Sequence, residues 1–107
     1  MTEPSADGGP PVDLTVADAP ERSRYEAVTP GGVLVGFAAY VLDGPTATFT
    51  HTEIDPTFEG RGFGSVLARE ALTDARRRGL RLVVLCPFLK DWIARHPGWD
   101  DGIAPAP

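Results

Sequence analysis

The chain has 107 residues, of which 42% are hydrophobic, and this accommodates one compact domain because a second core would need roughly 50 further residues. The formal net charge of -5 provides no basic footprint, so nucleic acid is not expected as the main ligand. One cysteine and two histidines offer neither an internal disulfide nor an ordinary zinc cage, so no metal is predicted. The longest apolar stretch, residues 33–42, is too short to span a bilayer. We therefore predict a soluble, cytoplasmic protein that does not enter a membrane.

The two ends of the chain differ in composition from its middle. Residues 1–11 and 102–107 are rich in proline, glycine and small residues, and such segments bury too little apolar surface to offset their ordering entropy. We expect an N-terminal tail at residues 1–11, a folded domain at residues 12–101 and a flexible C-terminal tail at residues 102–107.

The first half of the domain has the pattern of strands. Apolar and polar residues alternate in residues 12–16, and residues 22–29, 33–42 and 46–54 are rich in β-branched, aromatic or other apolar side chains. Short segments with turn residues separate them, including Gly31-Gly32 and Asp43-Gly44-Pro45. The sequence therefore predicts an antiparallel meander of four strands.

The second half changes to helical spacing. Apolar residues recur with this period in residues 63–78, and Gly79 stands where a C-terminal cap would fall. Residues 80–85 are almost entirely apolar, as in a strand buried on both faces. A short helix is predicted from Pro87 to about residue 95. Its inward side chains are expected to be Phe88, Trp92 and Ile93. The expected fold is α+β, with a mixed, mostly antiparallel sheet in the order ββββαβα.

One glycine-rich segment lies between a predicted strand and a predicted helix. It reads Glu59-Gly60-Arg61-Gly62-Phe63-Gly64-Ser65. Free backbone N–H groups and a helix N-terminus suit a phosphate or pyrophosphate, although a tight turn with a helix cap has the same pattern. The glycine spacing does not fit a dinucleotide fingerprint. The only lysine, Lys90, is too distant for a P-loop.

The segment from Glu59 to Gly64 resembles the coenzyme A motif of the GNAT superfamily of N-acetyltransferases, [Gln/Arg]-x-x-Gly-x-[Gly/Ala]. Gly62 and Gly64 occupy its glycine positions, and Glu59 stands where Gln or Arg is usual. The stretches His51-Thr52-Glu53-Ile54, Cys86-Pro87-Phe88 and Ile93-Ala94-Arg95-His96-Pro97 follow the order seen in the small, single-domain GCN5-related subgroup.

This resemblance implies a minimal version of a three-layer α/β-type fold, with acetyl-CoA as cosubstrate. Pyrophosphate would lie at residues 61–65, and pantetheine along the strand that ends near residues 53–55. The helix pair that usually follows the first strand is missing, so the side of the acceptor amine should be open or completed by another protein or subunit. The implied cofactor-binding residues are Ile54, Asp55, Glu59, Gly60, Arg61, Gly62, Phe63, Gly64, Ser65, Cys86 and Pro87.

Acetyl transfer to an amine needs a base for the ammonium proton and an acid for the departing thiolate. His51 and Glu53 lie two residues apart, so on a strand they share a face and could both line the cleft. Either could be the base, whereas the structural alternatives are a hydrogen-bonded histidine and a solvated carboxylate. The superfamily's usual acid is a tyrosine in the helix after the last conserved strand, and this helix has none.

Cys86 instead precedes that helix, whose dipole should favour the thiolate over a usual pKa of about 8.5. It is a candidate acid or nucleophile, and otherwise a buried packing residue. Trp92 and Trp99 fit packing roles, His96 a helix-capping role and residues 76–78 a solvated helix end.

Three classes of function remain to be compared. The first is an N-acetyltransferase acting on an amine of a protein or small molecule. The second is a module or sensor that binds coenzyme A or acyl-CoA without turnover. The third is an interaction or nucleic-acid protein using the arginines at residues 76–78, which the net acidity disfavours.

Overall fold

The computed structural model of the chain describes residues 14–60 and 62–99, together with the backbone of residues 103–104. The predicted tail at residues 1–11 and the predicted site residue Arg61 lie outside the described residues.

Four strands form the first half of the domain. They are β1 (Thr15–Ala19), β2 (Arg24–Val28), β3 (Leu34–Asp43) and β4 (Thr46–Ile54), and each pairs antiparallel with the next. The predicted meander is thus confirmed. A single 3₁₀ turn, Pro20–Arg22, connects β1 to β2, so residues 19–24 contain no helix pair, as the resemblance implied.

The second half contains helix α1 (Phe63–Arg77), strand β5 (Arg81–Val84) and helix α2 (Pro87–Ala94), and the predicted order ββββαβα is confirmed. Gly79 has a φ of +79° after α1, a left-handed conformation that ends a helix at little cost for glycine. Pro87 opens α2, where its missing N–H needs no partner.

One core lies between the sheet and the two helices. Helix α1 contributes small and branched residues at helical spacing, which lets it pack closely on the meander. Fully burying a large side chain stabilises the fold by about 1.5–3 kcal/mol relative to leaving it exposed. The largest fully buried side chains are Phe49, Leu67, Leu72, Leu82, Leu89, Val35 and Cys86.

The sheet order is β1-β2-β3-β4-β5-β6, where β5 pairs parallel with β4. The sixth strand, β6 (Ile103–Ala104), pairs parallel with β5. This short pairing lies inside the segment predicted as a flexible C-terminal tail. The pairing gives partners to backbone groups at the edge of β5, which an edge strand otherwise leaves unpaired.

The prediction that Phe88 faces the core is wrong. Phe88 is 38% exposed, whereas the next residue, Leu89, is fully buried. Leu89 and Trp92 are three residues apart and share the inward face of α2, and Phe88 is rotated away from it. Trp92 is buried and Ile93 is partly buried against the core, as predicted.

The burial on both faces that was predicted for residues 80–85 is found only inside strand β5. Leu82, Val83 and Val84 are buried, but Leu85, just past the strand, is 40% exposed.

Both helices share one core, and Trp92 of α2 contacts Ser65 of α1. They therefore cover the same face of the sheet, as expected for a minimal version of the fold in which the helix pair between β1 and β2 is missing. The opposite face, termed here the open face, carries Arg24, Glu26, Phe37, His51 and Glu53. Among the described residues no helix is both long and apolar enough to cross a membrane.

Candidate functional site

The sheet splits between β4 and β5. The two strands pair only from Thr46↔Arg81 to Phe49↔Val84. The carbonyl of Phe49 then accepts hydrogen bonds from the N–H groups of Leu85 and Cys86, at 2.9 Å and 3.1 Å. Beyond this point β4 continues to Ile54 while β5 has ended, so that no described strand pairs with this edge of β4.

The free edge of β4 presents alternate backbone groups. The N–H of Asp55 donates to the carbonyl of Val35 at 2.7 Å, so Asp55 and Glu53 turn their backbone groups toward β3. Thr52 and Ile54, which alternate with them, turn their N–H and C=O groups toward the split. This edge can pair with an extended, amide-containing ligand.

A β-bulge lies beside the split. Tyr40 pairs with Phe49 and Ala39 pairs with His51, so Thr50 is an extra residue on β4. A bulge bends its strand and increases the local twist, which helps β4 diverge from β5.

The glycine-rich segment follows β4 through a 3₁₀ turn, Pro56–Phe58. Gly60 and Gly62 have φ values of +82° and +79°, a region that most side chains disfavour. Gly62 is the N-cap of α1, where no side chain caps the first turn. The start of α1 therefore presents free N–H groups and the positive end of the helix dipole, which would favour an anion.

A cleft of about 370 Å³ lies between this loop and the free edge of β4. Its walls combine glycine backbone with four apolar side chains, which suits a ligand with phosphate at one end and a flexible, partly apolar arm. The cleft is lined by Thr52, Ile54, Phe58, Glu59, Gly60, Gly62, Phe63, Gly64 and Phe88.

Six residues predicted for cofactor binding line this cleft, namely Ile54, Glu59, Gly60, Gly62, Phe63 and Gly64. The other predicted cofactor-binding residues that the structure describes do not line the cleft, namely Asp55, Ser65, Cys86 and Pro87. The carboxylate of Asp55 accepts the N–H of Thr57 at 2.9 Å and caps the 3₁₀ turn. Ser65 bonds to Trp92, while Cys86 is buried and Pro87 exposed.

Sequence reasoning missed Thr52, Phe58 and Phe88 as cleft residues. Phe88 lies over Gly64, where an added Cβ would come 2.8 Å from the ring. The glycine and the ring therefore fit together. The sequence signal that could have indicated this contact is an aromatic residue at the start of α2 together with a glycine in the first turn of α1.

His51 and Glu53 share a face of β4, as predicted, and their side chains form a hydrogen-bonded pair with Nε2 2.7 Å from Oε2. Both side chains are more than half exposed. They do not line the cleft with Thr52 and Ile54, but lie on the open face. The reason is the extra residue Thr50, which reverses the alternation that starts from the buried Phe49.

Cys86 lies at the N-cap of α2 and is 2% exposed. Its Sγ is 3.3 Å from Oγ1 of Thr52, across the split in the sheet. The thiol thus contacts a residue that lines the cleft, although it does not line the cleft itself.

The two tyrosines do not line the cleft but line a separate pocket. Tyr25 donates to Asp74 at 2.8 Å and Tyr40 donates to Asp18 at 2.6 Å. Burial and then the hydrogen bond to Asp18 raise the pKa of Tyr40 to about 12, and burial with the bond to Asp74 raises that of Tyr25. Arg78 pairs with both carboxylates, at 2.8 Å and 2.9 Å, and this network ties the end of α1 to the sheet.

The fold and the cleft define an α+β domain in which a glycine-rich loop lies beside a split sheet. The profile of the GCN5-related N-acetyl-transferase family matches residues 24–102. The chain belongs to this family of GCN5-related N-acetyltransferases.

Two relatives illustrate the similarity. The chain is 38% identical over 74 residues to N-alpha-acetyltransferase RimI of Mycobacterium tuberculosis, an alignment that covers 65% of this chain and 47% of RimI. The chain thus spans about half the length of that relative. The solution structure of a GCN5-like protein from Staphylococcus aureus superposes with a TM-score of 0.64 and 17% identity, covering 89% of this chain and 92% of the other. This second similarity concerns the fold.

Proposed function

We propose that this chain is an acetyl-CoA-dependent N-acetyltransferase that transfers the acetyl group to an amine of a protein or small molecule. One observation carries the proposal: the uncapped start of α1 and the free edge of β4 border the same cleft. Acetyl-CoA has a pyrophosphate and an amide-containing arm, which match these two features.

The described residues fit this cosubstrate. The N–H groups of Phe63, Gly64 and Ser65 at the start of α1 would hold the pyrophosphate, since no side chain caps that turn. The backbone groups of Thr52 and Ile54 would pair with the amides of the arm, as an added strand does. When bound, acetyl-CoA supplies an activated thioester.

The chain's own residues can handle the protons. Acetyl transfer forms a C–N bond and breaks a C–S bond, so one proton must leave the amine and one must reach the departing sulfur. His51 and Glu53 form a proton-accepting pair on the open face, from which the amine would enter. Cys86 is the candidate donor to the departing sulfur because its thiol contacts the cleft residue Thr52.

The proposed acceptor is the amine of a protein N-terminus. The name of the relative, N-alpha-acetyltransferase, supports a protein N-terminus as the first acceptor to screen. The open face, which no described helix covers, is compatible with a macromolecular acceptor.

We further propose a cytoplasmic location, on the basis of the single cysteine and acidic composition.

The first test is calorimetric titration of acetyl-CoA into the wild type, Gly62→Glu and Gly62→Asn. Both substitutions put a side chain on a left-handed residue, a conformation that asparagine tolerates. The glutamate adds a negative charge beside the anion-binding turn. We expect wild-type binding, largely retained in Gly62→Asn and lost in Gly62→Glu. Absence of binding to folded wild type would refute the proposal.

A second candidate is a coenzyme A sensor without turnover. It is favoured by the absence of a tyrosine from α2, all of which the structure describes. Acetylation assays with excess acetyl-CoA and an added amine separate the two functions. Multiple turnovers that fall in Cys86→Ala but persist in Cys86→Ser would support an enzyme with a proton donor at this position. Binding without turnover on any amine would support the sensor.

A further inference from the structure

A buried tryptophan on α2 is bonded to the first turn of α1. Nε1 of Trp92 donates to Oγ of Ser65 at 2.9 Å, and Trp92 is 2% exposed. Ser65 is the third residue of α1. Ser65 does not line the cleft, but it directly follows the cleft residue Gly64 in the first turn of α1. The bond therefore joins the core of the protein to the turn proposed to hold the pyrophosphate.

The direction of this hydrogen bond is fixed by chemistry. An indole N–H can only donate, so the oxygen of Ser65 must accept. The hydroxyl proton of Ser65 then remains available for a second acceptor, and the described residues show none for it. The Ser65 hydroxyl can therefore donate a hydrogen bond to an anion or to a carbonyl oxygen of a ligand.

The indole itself is firmly held. His96 stacks on it with ring centroids 4.1 Å apart and an interplanar angle of 18°, and the Nδ1 of His96 donates to the carbonyl of Trp92 at 2.7 Å. Trp99 packs edge-on with ring centroids 5.4 Å apart. A residue locked by packing and hydrogen bonds positions its neighbour with little loss of entropy.

We propose that Trp92 is a positioning residue for the cofactor: it fixes the hydroxyl of Ser65 so that this group donates to the pyrophosphate of coenzyme A. This inference rests on the proposed function. It assigns to α2 a part in binding the phosphates, in addition to its packing role.

The test compares Trp92→Phe with Trp99→Phe. Both remove an indole from the same aromatic cluster, but only Trp92 bonds to Ser65. Trp92→Phe should raise the Kd of acetyl-CoA by about three- to tenfold, the effect of losing one hydrogen bond, and leave kcat unchanged. Trp99→Phe should leave the Kd close to that of the wild type.

Truncated ligands show which part of the cofactor is affected. The loss in Trp92→Phe should persist for dephospho-coenzyme A, which keeps the pyrophosphate, and vanish for S-acetylpantetheine, which lacks it. An equal loss of kcat/KM with S-acetylpantetheine would overturn the inference, because a general disturbance of packing would be the cause.

Ser65→Ala provides a second, independent measurement. It should weaken acetyl-CoA binding to a similar degree, and adding Trp92→Phe to it should have little further effect, since the two residues act through one bond. Unchanged affinity in folded Ser65→Ala would overturn the inference even if Trp92→Phe failed to fold. Failure of the wild type to bind acetyl-CoA would instead refute the proposed function.

Discussion

Nε2 of His51 lies 2.7 Å from Oε2 of Glu53 on the open face of β4, while the backbone of the residue between them, Thr52, faces the split in the sheet. One strand thus presents a hydrogen-bonded histidine–glutamate pair on one side of the sheet and free backbone groups at its edge. In the proposed function, an amine that approaches from the open face would meet this pair before it reached the cleft.

The first prediction concerns this pair. We expect Glu53→Gln or His51→Gln to lower kcat by about 100-fold or more, the usual contribution of a general base, with little change in the KM for acetyl-CoA. Whichever substitution has the larger effect identifies the base. Steady-state kinetics with a saturating amine provide the measurement. Full activity in both variants would exclude the pair from proton transfer.

The second prediction concerns Gly36, which pairs with Ile54. A Cβ at Gly36 would come 2.3 Å from the backbone oxygen of Glu53, so β3 and β4 would have to separate. We expect Gly36→Ala to reduce the free energy of unfolding by about 1–3 kcal/mol, as overpacking does.

Gly31 supplies the matched control for this substitution. The nearest atom to a Cβ at Gly31 is 3.9 Å away, and Gly31→Ala should leave stability unchanged or slightly raised. Urea denaturation of both variants provides the comparison. Equal stability in the two alanine variants would contradict the close contact at Gly36.

The third prediction concerns stability in acid. Hydrogen bonds from Arg22, at 2.7 Å, and Arg24, at 2.8 Å, lower the pKa of Glu26 from 4.5 to about 2. Because the folded value lies below the unfolded one, the stabilisation is present above pH 4.5 and is lost as the pH falls toward 2. Glu26→Gln should therefore flatten the fall in unfolding free energy across this range.

Unfolding in urea at a series of pH values tests this expectation. An unaltered slope in Glu26→Gln would show that the two arginines do not hold the carboxylate in solution.

The fourth prediction concerns alkaline conditions. The pKa of Tyr40 is raised to about 12 in the folded protein, against 10.0 in the unfolded chain. Tyr25 is shifted in the same direction. The folded state thus retains tyrosine protons that the unfolded state loses, so this contribution to stability is complete below pH 10 and is lost as the pH rises toward 12.

The chain has only these two tyrosines, so Tyr25→Phe/Tyr40→Phe should lose the tyrosine part of that slope. Urea unfolding between pH 9 and about 12 measures it. The same slope in the wild type and the double variant would argue against buried, hydrogen-bonded hydroxyls.

The fold was largely predictable because its elements have strong local signals. Period-2 alternation, the helical spacing of the alanines and leucines in α1, and Gly79 at its end all agree with the structure. The glycines of the cleft were also predictable, since Gly60 and Gly62 occupy the left-handed conformations that favour glycine.

The remaining features depend on tertiary packing. Nothing local distinguishes Phe88 from Leu89 as the buried residue of α2, and the choice depends on the space above Gly64. The bulge at Thr50 is equally invisible in sequence, because threonine suits both regular and bulged strands. The pattern therefore predicted correctly that His51 and Glu53 share a face of β4. It did not predict which face of the sheet this is.

The bulge at Thr50 makes it possible to change the bend of β4 without changing the candidate site residues on that strand. A chain lacking Thr50 would pair Phe49 with Tyr40 and His51 with Ala39 in an uninterrupted ladder. Every later side chain of β4 would keep its present face, because the deletion removes the same residue that the pairing already skips. Only the bend of β4 would be lost. Such a shortened chain would keep the candidate site residues His51, Glu53 and Cys86 but lose the bend that helps β4 diverge from β5.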